Sequence, residues 1–217
     1  MIANEEDLLP IQRPRRFHLE WLAPLLVKPR QTLAKALEHG NATWIAPLLL
    51  LTLLSLVTVL VAGPLRQAAA ANGPQTLPPD FQYWTPEQQN QYMQSAATSA
   101  GATYIYILPF IGELARIWAG WLIFAAVLNL ALILAGARSD MTLALNLTAW
   151  ASLPFAIRYL VQIGSMLLTK QVIASPGLAG FAPAEPSGFI LYLTQILPFI
   201  DLYLVWMLVL VMVGLCS

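Results

Sequence analysis

Charge is what this 217-residue sequence has least of: eleven Lys and Arg and eleven Asp and Glu, 10% of the chain. A soluble domain carries roughly 25%. With 58% hydrophobic residues and a mean hydropathy of +0.66, the composition is that of a membrane protein. The two signs cancel to a net charge of zero, so no basic surface is available for nucleic acid. The single cysteine, Cys216, excludes an intramolecular disulfide and a Cys-rich metal site. It stands second from the end, whereas a prenylation box needs its cysteine fourth from the end. His18 and His39 are the only histidines, and both precede the first apolar run. No histidine inside a span can therefore ligate haem or chlorophyll, and a Ser/His/Asp triad would have to borrow one of these two. Phosphate-loop, His-Glu-x-x-His and Gly-x-Ser-x-Gly motifs are missing as well. The sequence reads as non-enzymatic, with no catalytic residue, metal ligand or cofactor to assign.

What the sequence has is long apolar runs. A spanning helix needs about 20 mostly apolar residues. Four segments qualify, at about 44–63, 104–135, 141–168 and 188–215. The expected fold is all-α, a polytopic bundle of four transmembrane helices. Lys and Arg set its orientation. Arg13, Arg15, Arg16, Lys28, Arg30 and Lys35 precede the first span, and Arg138 lies between spans two and three. The opposite loops hold only Arg66 and Lys170. This asymmetry predicts a cytoplasmic N-terminus in a cell inner membrane, with the C-terminus on the same side. The first apolar run begins too far along the chain for a cleaved signal peptide, typically ~15–30 residues in all.

Three regions follow. Residues 1–16 form a polar arm, acidic at Glu5, Glu6 and Asp7 and then basic, which needs a partner to become ordered. Residues 17–43 contain an amphipathic helix opened by Pro29 and ended by Gly40. It lies on the inner leaflet, with Lys28, Arg30 and Lys35 near lipid headgroups, or packs beneath the bundle, or both. Residues 44–217 are the bundle. In the first outer loop, Thr85-Pro86-Glu87-Gln88 supplies an N-cap, a first-turn proline and a capping-box glutamine. An extracytoplasmic helix from Pro86 to about Thr98 is expected, either a contact surface or an ordinary lid.

Three triplets punctuate the spans: Leu108-Pro109-Phe110, Leu153-Pro154-Phe155 and Leu197-Pro198-Phe199, at spacings of 45 and 44 residues. Each proline removes a backbone donor, so Pro109, Pro154 and Pro198 are predicted helix kinks. A charge follows each proline by three or four residues: Glu113, Arg158 and Asp201. Charges inside hydrocarbon are costly and persist when paired or hydrated. Glu113 and Arg116 are three apart and can pair along one helix. Arg158 is expected to pair with Asp201 or Glu113 across helices, a structural pair or part of a proton or ion relay. Asn129 and Asn146 are placed to hydrogen-bond between helices.

The run Lys28-Pro29-Arg30-Gln31-Thr32-Leu33, then Gly40, Trp44 and Pro47-Leu48-Leu49-Leu50-Leu51, resembles bacterial Yip1-domain membrane proteins. So do Thr85-Pro86-Glu87-Gln88-Gln89 and Ile200-Asp201-Leu202-Tyr203-Leu204-Val205-Trp206 with Gly214-Leu215. The resemblance covers roughly residues 21 to 217. It implies a fifth span after Gly214-Leu215, which this sequence does not contain. A fifth helix would move the C-terminus outside. The resemblance also implies an accessory role, since some bacterial relatives accompany ABC-type exporters as extra membrane subunits. The expected function is thus an accessory or scaffolding subunit of a larger membrane assembly. Other integral membrane subunits and lipids are its partners, reached through span one, a Trp118/Trp121 edge and the N-terminal arm. Two alternatives remain open: a small transporter or channel using Glu113, Arg158 and Asp201, and a membrane-shaping or lipid-organising protein.

Overall fold

Among the described residues, three of the four apolar runs give helical elements long and apolar enough to cross a bilayer, and the fourth holds two shorter helices. The computed structural model of the chain describes residues 18–38, 42–72, 78, 80–99, 101–137, 140–173, 177–178, 188–197 and 201–216. The polar arm, Gly40, Arg138 and Pro198 lie outside the described residues. Among the described residues, every regular element is helical.

The chain enters through a 3-10 turn at Leu19–Trp21, followed by α1 (Leu22–Val27) and α2 (Pro29–Glu38). Pro29 opens α2, where its missing N–H would have had no helical partner. Thr32, Leu33 and Ala36 form the buried face of α2, while Lys28, Arg30 and Lys35 stay exposed. Leu25, Leu33 and Ala36 join one core with Leu147, Trp150, Met207 and Leu210. Of the two sequence expectations for this element, packing beneath the bundle is therefore realised. Arg30 Nη2 donates to the carbonyl of Cys216 at 3.4 Å. This contact puts α2 and the end of α9 (Leu202–Leu215) on the same side of the bundle.

The first long helix, α3 (Ile45–Asn72), continues past Gly63, where the sequence reading ended the span, and carries Pro64 in its interior. Gly63 is required by packing: the ring of Tyr106 fills the place a Cβ would take. Tyr106 belongs to a π-helical turn, Thr103–Ile107, that leads into α5 (Leu108–Leu134). Pro109 sits in the first turn of α5. In the loop between, α4 (Pro86–Ser99) begins with a reciprocal capping box. The Gln88 N–H donates to Thr85 Oγ1 at 3.3 Å, and the Thr85 N–H donates to Gln88 Oε1 at 3.0 Å.

The third span is two helices, α6 (Met141–Ala151) and α7 (Pro154–Thr169), interrupted at Ser152 and Leu153. Pro154 takes the first position of α7. The fourth apolar run departs from the expected continuous span. It divides into α8 (Phe189–Ile196) and α9. Asp201 sets the start of α9: its backbone is extended (φ −140°, ψ 170°) and its Oδ1 accepts the Leu204 N–H at 2.8 Å. A residue capping a helix start is not itself helical. Fourteen residues give α9 about 21 Å of length, short of the ~30 Å hydrocarbon core. Among the described residues, three elements, Ile45–Ala69, Thr103–Leu134 and Met141–Thr169 (the last being α6 and α7 together), are long and apolar enough to cross a membrane. In the fourth expected span the described residues hold α8 and α9, and residues 198–200 between them lie outside the described residues.

Candidate functional site

An ion pair joins α7 to the start of α9, and a cavity lies between the α6–α7 break and α9. Ser152 follows the eleven residues of α6, so it stands about 17 Å along from Met141. Asp201 stands one length of α9 from the Arg30–Cys216 contact. Both breaks thus fall inside apolar runs, not at their ends.

At this level Arg158 Nη1 of α7 meets Asp201 Oδ2 at 2.9 Å, and both side chains are largely enclosed. Asp201 has two tasks. Its Oδ1 caps α9 while its Oδ2 holds the arginine. The close contact to Arg158 is made by Oδ2, while Oδ1 serves the helix start. Among the described residues, Asp201 is the one partner of the Arg158 guanidinium.

Beside it lies a triangle. Arg116 Nε donates to Glu113 Oε2 at 3.2 Å, one turn back on α5. Arg116 Nη2 donates to Tyr159 Oη at 3.1 Å, and the Tyr159 hydroxyl donates to the same Glu113 oxygen at 2.9 Å. Arg158 thus takes Asp201, and Glu113 takes Arg116 and Tyr159. The sequence reading missed Tyr159, although a signal was present: a tyrosine in an apolar run needs a partner for its hydroxyl.

A cavity of about 260 Å³ opens between α3, α5, the α6–α7 break and α9. Arg116, Arg158 and Tyr159 form its polar side, and Leu51, Phe124 and Phe155 belong to its apolar walls. A second cavity, about 310 Å³, also borders Arg158 and Asp201 and reaches Gln162, Ile173 and Gly177.

The other predicted polar residues stand elsewhere. Asn146 is buried on α6, and its Oδ1 accepts the Thr43 N–H at 3.0 Å. Trp150 Nε1 donates to Thr43 Oγ1 at 3.1 Å, so Thr43 anchors the start of α3 to α6 from both of its polar groups. Asn129 is half-buried on α5. Lys28, Arg30 and Lys35 sit at the α2 side, about one length of α9 from Asp201. The Trp118/Trp121 edge, expected to face partners, turns inward. Trp118 Nε1 donates to Thr52 Oγ1 and Trp121 Nε1 to the Leu145 carbonyl, each at 3.1 Å. An indole N–H inside a membrane needs an acceptor, and only the bundle interior offers one here. Among the described residues, no cluster of three or more His, Cys, Asp or Glu could hold a metal ion.

A family model described as the Yip1 domain matches residues 24–217. The chain belongs to the Yip1-domain family. The matched region begins within α1 and contains everything from α2 to α9, so both ion pairs and the cavity are features of this Yip1 domain. Its apolar helices make it a multi-pass membrane protein. No curated protein and no solved structure matches the chain.

Proposed function

We propose that this Yip1-domain protein is a non-enzymatic accessory or scaffolding subunit of a larger membrane assembly. The observation that supports it is the setting of α5. Only 6% of its most apolar window is buried in the bundle, against 39% for the other two crossing helices. Ile111, Leu122, Ile123, Val127, Leu130 and Ile133 are all exposed. Such a flank can pack on lipid or on a neighbouring helix, and small residues such as Gly112 and Gly120, which have open space beside them, allow close approach. An ABC-type export complex in a bacterial inner membrane is the assembly that the family resemblance suggests. The seven-to-two Lys and Arg asymmetry supports a cytoplasmic N-terminus.

The test is disulfide or bifunctional cross-linking from Leu122→Cys and Leu130→Cys in a Cys216→Ser background, in native membranes. One stoichiometric heterologous product from α5, absent from control positions on α9, is the expected result. Products with no dominant partner, or equal yield from α9, would defeat the subunit reading.

A second reading, a small transporter or channel, is favoured by one observation: two interrupted helices meet at a charged pair bordered by cavities. Broken helices around a site near the midplane are a recurring transporter arrangement. It predicts that Asp201→Asn abolishes a flux in vesicles while the protein still folds. Loss of folding alone leaves only the structural pair.

A further inference from the structure

We propose that the cavity between α3, α5, the α6–α7 break and α9 is a binding site for one anionic amphiphile, with its oxyanion on Arg158 and its chain against the apolar walls. Arg158 stands between Asp201 and this cavity. A guanidinium carries five N–H donors, more than the one Asp201 carboxylate beside it can take, and the close contact is at Nη1. Arg158 also lines the cavity, where the hydroxyls of Thr148, Ser152 and Tyr159 are the side-chain acceptors on the wall. An arginine fork in such a place favours a planar or tetrahedral oxyanion.

The rest of the wall selects the kind of anion. Leu48, Leu51, Ile117, Phe124, Phe155 and Met207 line the space. A small hydrated anion would lose its water against them without compensation. A hydrocarbon chain gains by the same contacts. At about 260 Å³, the cavity holds roughly nine water volumes, enough for a head and the first carbons. Gly120 gives the chain an exit, since nothing stands within 4 Å of where its side chain would begin. Beyond it lies the exposed flank of α5. Arg116 and the Tyr159 hydroxyl are also on the cavity wall, beside Arg158. The inference does not rest on the subunit reading, because it concerns the isolated chain.

The experiment uses the full chain, purified in mild detergent and stripped of lipid. Native mass spectrometry follows titration with stearate, stearyl alcohol or inorganic phosphate. Stearate is expected to bind once per chain and saturably, and stearyl alcohol about tenfold more weakly for want of the charge. Arg158→Lys keeps the charge but loses the fork, and should weaken stearate by about tenfold. Gly120→Leu fills the exit, leaves Arg158 intact and improves helix propensity, so it should weaken stearate without loss of folding. If Arg158→Lys fails to fold, the alcohol comparison and Gly120→Leu still decide. Non-saturating adducts, equal binding of the alcohol, or indifference to Gly120→Leu would overturn the proposal. Saturable binding of phosphate that displaces stearate would also overturn it, and would make the site one for soluble oxyanions. No stearate adduct at all would mean that water alone fills the arginine's fork.

Discussion

The α5 helix and the α6–α9 pair are both apolar, yet they are used in opposite ways. α6 buries seven of its eleven residues, from Ala144 through Ala151 apart from Leu145, and Trp150 is fully enclosed. α5 buries Ala125 alone among its twenty-seven. Hydropathy does not separate them in this direction, since the exposed helix belongs to a more apolar window than the buried one, 2.3 against 1.3. In lipid, an apolar surface has no reason to hide, because hydrocarbon tails solvate it as well as leucine does. Hydrogen-bonding groups and close packing have such a reason. α6 carries Asn146, Thr148 and Trp150, and α5 attaches to the bundle through the indole N–H groups of Trp118 and Trp121. Helix position in this protein follows polar groups and shape, not greasiness.

The contrast can be broken by substitution, and the largest effect belongs at its buried pole. Trp150→Ala removes a fully buried indole and the donor to Thr43, and should cost about 3–5 kcal/mol of stability, read by denaturant titration in detergent. A loss near that of an exposed residue would mean that α6 is not the core. Asp201→Asn comes next, because asparagine preserves the α9 cap while leaving Arg158 without its anion. Breaking a buried pair from one side costs up to about 3–5 kcal/mol. The double variant with Arg158→Gln should recover a good part of that loss. A double-mutant cycle with no coupling would show that the pair is not formed in solution.

Smaller changes sharpen the comparison. Gly63→Ala sets a methyl against the ring of Tyr106 and should cost about 1–3 kcal/mol, toward the low end because the half-buried ring can swing away. The readout is the melting midpoint, with Tyr106→Ala as the relieving second change. At the exposed pole, Ile123→Ala and Leu130→Ala should each shift stability of the isolated chain by within about 0.5 kcal/mol. If they destabilise it as core changes do, α5 is not peripheral. If they leave the chain intact yet reduce cross-linking to a neighbour, the flank is an interface.

Much of the architecture was legible in the order of residues. The three long spans, the α2 helix opened by Pro29 and the Thr85–Gln88 capping box all depend on short-range rules, which a sequence carries openly. The pairing of Glu113 with Arg116 is of the same kind, three residues apart on one helix. The Arg158–Asp201 contact was foreseen as one of two options, because two unpaired charges in lipid must find an opposite charge. Which charge each would take was not legible. In the fourth run a kink was expected at Pro198, but the capping role of Asp201 was not legible, because an aspartate inside a helix and one capping a helix have the same letters around them. The inward turn of Trp118 and Trp121 was missed because the acceptors, Thr52 and the Leu145 carbonyl, lie on other helices.

The sequence by itself determined that this chain is a membrane-embedded helical bundle, since length, apolarity and capping are local properties of a helix. Only the tertiary structure decided that Asp201 divides its two oxygens between a helix end and Arg158, that Tyr159 joins Glu113 to Arg116, and that a cavity lies against them. Those features require groups 43 to 46 residues apart to come within hydrogen-bonding distance, and the packing of whole helices sets that distance.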